Sequence, residues 1–261
     1  MVGRLVFTTR AFLSGQTPGG VLLLVVLGLM ACGRYGFTDL GHAAVSDGAA
    51  LRDVAQGSGA SARYVQSFAG TGAGTMSTFS VTPVQIGDAL VVQAYCGSSA
   101  KPTQVVLDAP GWTFQRVSPI VGAGVTKDFV ASFVAVVPSI EATVVTATWS
   151  VAACDLGLGA VGDEFADTAG QLLDLVRDHA EGFGVNDCAT AVATEPGDLV
   201  WGACTGSVAA IGPTFSKGAD DGGGDWTEYQ TSAVAAAATP VTFANGPGQD
   251  FVITAVTLRH R

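Results

Sequence analysis

Beyond residue 60 the chain alternates between short runs rich in Val, Thr, Phe and Ala and clusters of Gly, Pro, Asp and Ser. The runs ARYVQSF (62–68), STFSVTP (77–83), DALVVQAYC (88–96), WTFQRVS (112–118), DFVASFVAVV (128–137), ATVVTATWSV (142–151) and CDLGLGAVGDEF (154–165) predict strands in the first half. CATAVATE (188–195), DLVWGACTG (198–206), WTEYQTSAVAAA (226–237), PVTFAN (240–245) and DFVITAVTLRH (250–260) predict them in the second. Many short strands at near-regular spacing, with turn residues between them, indicate an all-β sandwich or barrel over residues 62–261. One segment, AGQLLDLVRDHAEG (169–182), places Leu172, Leu173 and Val176 at helical spacing, and reads equally as a short strand with a crossing loop.

The pattern before residue 61 differs. Residues 33–60 are small and polar with no lasting apolar period, as expected of a flexible tether. Ahead of them an unbroken apolar run spans Val21 to Met30, with Arg4 and Arg10 upstream and no acid before Asp39. The run is too short for a membrane span, which needs roughly 20 apolar residues. A basic start, a short apolar stretch and small residues at its exit describe a secretory signal. Leu29-Met30-Ala31-Cys32 resembles the lipobox of bacterial lipoproteins. That resemblance implies cleavage after residue 31, lipid on Cys32, and a tether over residues 32–61. Gly33 follows the cysteine, where an Asp would resemble the inner-membrane retention signal of enteric lipoproteins. The expectation is an exported protein held by lipid on the cell envelope, at the outer membrane of a Gram-negative bacterium.

The two halves echo each other. Residues 76–97, MSTFSVTPVQIGDALVVQAYCG, parallel residues 187–206, DCATAVATEPGDLVWGACTG, in a polar strand, a Gly-Asp turn and an apolar strand ending near a cysteine. A Trp-Thr pair follows in each half, Trp112-Thr113 and Trp226-Thr227, and each half closes on an apolar strand, GLGAVGDEF and DFVITAVTL. Two copies are too few for a repeat array. The order of GDALVV, Trp-Thr, VTATWS, GAVGDEFAD and GDLVWGA segments resembles a widespread family of bacterial and archaeal secreted jelly-roll-like modules. The resemblance covers roughly residues 62–260 and implies a jelly-roll-like antiparallel β-sandwich of two similar halves. It carries no catalytic residues onto this chain.

Five cysteines are an odd count. With Cys32 given to lipid, Cys96, Cys154, Cys188 and Cys204 remain, an even set suited to two disulfides in an oxidising compartment. Their spacings of 58, 34 and 16 contain no CxxC and do not suit a zinc site. Three connectivities are open. Cys96–Cys154 and Cys188–Cys204 are favoured, since each pair would meet at one edge of antiparallel neighbours.

The net charge of −10, with lysine only at 101, 127 and 217, argues against nucleic acid. It also means that lipid, not charge, would hold the protein on an anionic membrane. The three histidines, His42, His179 and His260, show no metal or triad spacing. Ser98-Ser99-Ala100-Lys101 matches S-x-x-K but lacks its companion motifs and a helix. Gly70 to Thr75 is glycine-rich without a following lysine, and reads as a loop between strands. The loop Asp220-Asp221-Gly222-Gly223-Gly224-Asp225 offers three carboxylates of the kind Ca²⁺ takes, Asp220, Asp221 and Asp225, although not in EF-hand order. Asp163, Glu164 and Asp167 read as a solvated strand end. Trp112, Trp226 and Tyr229 flank loops and would present flat faces to sugar rings, or else plug the ends of the sandwich. The function expected is a non-catalytic, lipid-anchored envelope or surface protein presenting a binding or structural module to a polysaccharide or surface protein. Its alternatives are a carbohydrate-binding module, calcium-assisted or not, and a secreted glycoside hydrolase using a carboxylate pair.

Overall fold

The computed structural model describes residues 61–122, 127–186 and 188–261. The signal segment, Cys32 and nearly all of the tether lie outside the described residues, which fall in one compact unit. As expected, the fold is all-β and antiparallel.

The first half comprises β1 (Arg63–Ala73), β2 (Met76–Val81), β3 (Ala89–Gly97), β4 (Val105–Asp108), β5 (Gln115–Arg116), β6 (Val121–Gly122), β7 (Asp128–Val136), β8 (Thr143–Trp149) and β9 (Gly157–Ala166). They form one sheet in the order β4-β8-β2-β1-β9-β3-β7-β5, with β6 also on β7. The sheet curls into a half-barrel. Alternate residues of strands far apart in that order, such as Leu107 of β4 and Phe133 of β7, point into one core with Phe79, Leu90 and Trp149.

A single helical turn, α1 (Leu172–Leu175), leads into the second half. Its strands are β10 (Val176–Val185), β11 (Cys188–Thr194), β12 (Leu199–Thr205), β13 (Val208–Ala210), β14 (Ser216–Asp220), β15 (Trp226–Thr231), β16 (Ala236–Asn245) and β17 (Asp250–Leu258). They form a three-stranded sheet, β11-β16-β13, and a five-stranded sheet, β10-β17-β12-β15-β14. Placed end to end, β13-β16-β11-β10-β17-β12-β15-β14 repeats the order of the first half strand for strand, with β6 lacking a counterpart. The repeat extends to register. Ala89 pairs with Phe165 as Leu199 pairs with Leu258, and the ladder slips at Tyr64/Gln66 as it does at Val176/Asp178. Each similar half therefore carries the whole strand order, joined as one sheet in the first half and split between β10 and β11 into two in the second.

The Gly-Asp echo marks the same turn in both copies. Gly87 and Gly197 take φ of 91° and 90°, a left-handed conformation that glycine adopts without a Cβ clash. Gly87 and Asp88 exchange backbone hydrogen bonds with Val137 as Gly197 and Asp198 do with Ser232. The Trp-Thr echo has no such basis. Trp226-Thr227 opens β15, whereas Trp112-Thr113 lies in the connection from β4 to β5.

Three cores result. One fills the first half-barrel, one fills the second between β12/β17 and β11/β16, and the third joins the copies through Val91, Val134, Phe165, Leu199, Trp201 and Val256. Strands between two cores are buried on both faces, which is why β3, β12 and β17 read as largely apolar runs, while β9 buries Asp163 and Glu164 as well. The segment 169–182 holds both α1 and the start of β10. β4, β6, β13 and β14 were not legible as strands because they are very short, and β10, left open between helix and strand at its start, carries charged residues and glycines where a strand's apolar positions would fall.

Both disulfides are those favoured from sequence, Cys96–Cys154 with Cα atoms 5.1 Å apart and Cys188–Cys204 with 6.6 Å. Their setting differs from the expected shared edge. Each lies in the core of its own copy. Cys188–Cys204 crosses from β11 to β12, which belong to different sheets, and so staples the two layers of the second copy.

Candidate functional site

The structure does not bring the three candidate aromatics together. Tyr229 stacks on Tyr64 at 4.6 Å and meets Phe165 edge-on, inside the core that joins the copies. Trp226 packs against the second copy's core, and the Lys217 ammonium sits 3.5 Å from its ring centre. Trp112 stacks on Phe114 at 5.7 Å against the first core, with both rings part-exposed.

The Asp loop uses its carboxylates internally. Asp220 accepts from Lys217 Nζ at 2.7 Å and from the Gly222 N–H, which holds its carboxyl below the usual range. Asp221 accepts from the Gly223 and Asp225 N–H groups through Oδ1, and from the Tyr95 hydroxyl at 2.8 Å through Oδ2. Asp225 is buried and accepts from the Gly206 N–H; burial and the charge of Asp221 push its carboxyl well up. Among the described residues no three His, Cys, Asp or Glu side chains are grouped to hold a metal ion.

Two buried acids overturn the expectation of a solvated strand end at 163–164. Asp163 and Glu164 have no exposed surface. As neighbours on a strand they point to opposite faces, and both faces of β9 are covered. Asp163 faces the second copy, where it accepts from Trp201 Nε1 at 2.7 Å, Thr227 Oγ1 at 2.6 Å and, from its own copy, Ser67 Oγ at 2.5 Å. Burial raises its pKa against these bonds, which favour the carboxylate. Gln93 forms a second polar link. It donates to Ala203 O and Thr254 Oγ1 and accepts from Thr205 Oγ1, and Ser132 joins it through Thr254. The chain thus joins its copies by buried, satisfied polar groups within an apolar interface.

The two Gly-Asp turns differ in charge. Asp198 is met by Arg177, by the Glu195 N–H and by His260 Nδ1 at 3.4 Å. At the equivalent place Asp88 is buried without any N–H or O–H donor among the described residues. It lies beside Glu164, which itself accepts from Gln66 and the Val84 N–H. Burial, then the charge of the adjacent Glu164, pushes Asp88 up to about 6, so the Asp88 carboxyl holds its proton above the usual carboxylate range.

The remaining feature is the open side of the first copy. Among the described residues β4 and β5 end the curled sheet, and each pairs on one side only, with β8 and β7 respectively. Two adjoining shallow depressions of about 420 and 430 Å³ lie along them. Lys101, Thr103, Pro119 and Ile120 line one, Val105, Leu107, Phe114 and Phe133 the other, and Arg116 borders both. Among the described residues neither Lys101 nor Arg116 has an ion-pair partner. In the second copy Glu228 takes the place of Phe133 and bridges this region by accepting from the Gly212 N–H at 2.6 Å and the Thr242 N–H at 3.2 Å. Sequence reading missed the open side because β4 is short and Lys101 and Arg116 stand 15 positions apart.

No protein-family model, curated protein or solved structure matches this chain.

Proposed function

We propose that this chain is a non-catalytic, lipid-anchored protein of the cell envelope that presents a rigid binding module. The observation that carries the reading is the cysteine arrangement. Four of the five cysteines close two disulfides inside separate cores, so no cysteine is left in the chain to pair with Cys32, which ends a short apolar run in a lipobox-like sequence. Disulfides suit an oxidising compartment. The buried carboxylates also support it, since Asp163, Asp198 and Glu228 are engaged in tying strands together. The open side of the first copy is the face best suited to a partner.

Expression of the full chain in a Gram-negative host with an alkyne-labelled palmitate tests the anchor. Label on the protein, and recovery in the outer-membrane fraction, are expected for the native sequence and lost in Cys32→Ser. Equal membrane recovery of an unlabelled Cys32→Ser protein would overturn it. Retention on insoluble cell-wall polysaccharides, with Ca²⁺ or with EDTA, tests the competing carbohydrate reading, and retention lost in Trp112→Ala would favour that reading.

A further inference from the structure

We infer that the open side of the first copy, between β4 and β5, takes an extended acidic peptide segment, which adds its backbone to a strand edge and sets its carboxylates on Lys101 and Arg116. The backbone argument comes from register. Ser150 donates to Gln104 O, so 104/150 is a hydrogen-bonded pair. In an antiparallel ladder such pairs alternate. The pairs Val105/Trp149 and Leu107/Ala147 are therefore non-bonded, and the N–H and C=O groups of Val105 and Leu107 turn away from β8. On the other side Val117 donates to Ser132 O, so the neighbouring pair Arg116/Phe133 is non-bonded and the Arg116 backbone turns away from β7. Both ends of the sheet thus offer backbone donors and acceptors to an added strand, which sits about 4.8 Å from its neighbour.

The side chains define which strand fits. Phe114 and Phe133 supply an apolar floor, and Val106 is 44% exposed at the rim. Lys101 and Arg116 are cations without carboxylate partners among the described residues, on a chain of net charge −10. Asp108 is the one acid between residues 99 and 120, at the end of β4, and no ion pair joins it to either cation among the described residues. An incoming strand alternating apolar and acidic residues would place one set on the floor and the other on the cations. A glycan would meet the cations but leave the backbone groups of Val105, Leu107 and Arg116 without strand partners. The second copy, whose corresponding region Glu228 bridges, lacks this site.

Because this rests on the binding-module reading above, its test is independent of the lipid anchor. The full chain in detergent is titrated into fluorescein-labelled (Val-Glu)4, and anisotropy is read. The competitors are unlabelled (Val-Glu)4, its N-methylated form, (Val-Lys)4 and an oligogalacturonate. Saturable binding is expected, displaced by (Val-Glu)4 but not by the N-methylated, lysine or sugar competitors. Lys101→Glu with Arg116→Glu should weaken it at least tenfold with an unchanged melting temperature; should that pair melt early, Lys101→Gln with Arg116→Gln should still weaken it severalfold. No saturable binding at millimolar protein, no loss in the double variants, or equal competition by oligogalacturonate or the N-methylated peptide would overturn the inference. None of these results bears on membrane attachment of the native sequence.

Discussion

Single buried acids set much of this protein's behaviour. Asp163 is the acceptor for Trp201, Thr227 and Ser67, so Asp163→Ala strands buried donors in an apolar interface. A loss of about 3 kcal/mol is expected from such unsatisfied groups, measured by urea denaturation. Gly218 lies so close that an added Cβ would sit 2.3 Å from Thr227 Oγ1 and 2.6 Å from both Asp163 oxygens, and Gly218→Ala should cost about 2 kcal/mol by the same assay. The pH dependence follows from Asp88, raised to about 6, and Glu228, raised to about 7 chiefly by burial. Their folded values lie above the unfolded ones, so the folded chain holds more protons and stability falls as pH rises from about 4 through 7. The melting temperature should be higher at pH 5 than at pH 8, and Asp88→Asn with Glu228→Gln should shrink the difference, the raised Asp163 and Asp225 keeping the remainder. A wild-type melting temperature that rises from pH 5 to 8 would sink this assignment.

At the scale of elements, the two disulfides act on different lengths of chain. Cys96–Cys154 spans 58 residues and Cys188–Cys204 spans 16. The loop-entropy argument gives about 4 and about 3 kcal/mol respectively, so Cys96→Ser/Cys154→Ser should lower the denaturation midpoint more than Cys188→Ser/Cys204→Ser. The strands legible in the sequence were those buried on both faces or cleanly alternating, such as β2, whose exposure pattern alternates along its length. The short, half-exposed β4 and β14 carry too few residues for a pattern, and β4 takes its pairing from β8, distant in sequence. The disulfide pairing was legible from the echo, yet the staple between layers was not, because β11 and β12 are adjacent in sequence and lie in separate sheets.

At the scale of the molecule, two copies of one topology share an apolar interface threaded by the Asp163 and Gln93 links. Burying both sets of groups is worthwhile only when both copies are folded, so a single calorimetric unfolding transition is expected. Asp163→Ala with Gln93→Ala should separate it into two. Two transitions in the unaltered chain would contradict this coupling.

The sequence by itself determined the all-β class, the long strands buried on both faces or cleanly alternating, the repeated Gly-Asp turn and the favoured cysteine pairs. These depend on local periodicity, on backbone geometry that only glycine adopts easily, and on counting. Tertiary structure alone decided that the first half forms one curled sheet and the second two, that Asp163 and Glu164 are buried, and that Tyr229 and Trp226 lie against different cores. A residue's alternation gives the face it points to, but what covers that face is supplied by strands far away in the chain. The same reason hid the open side, where Lys101 and Arg116 meet only because the sheet's two ends curl toward each other.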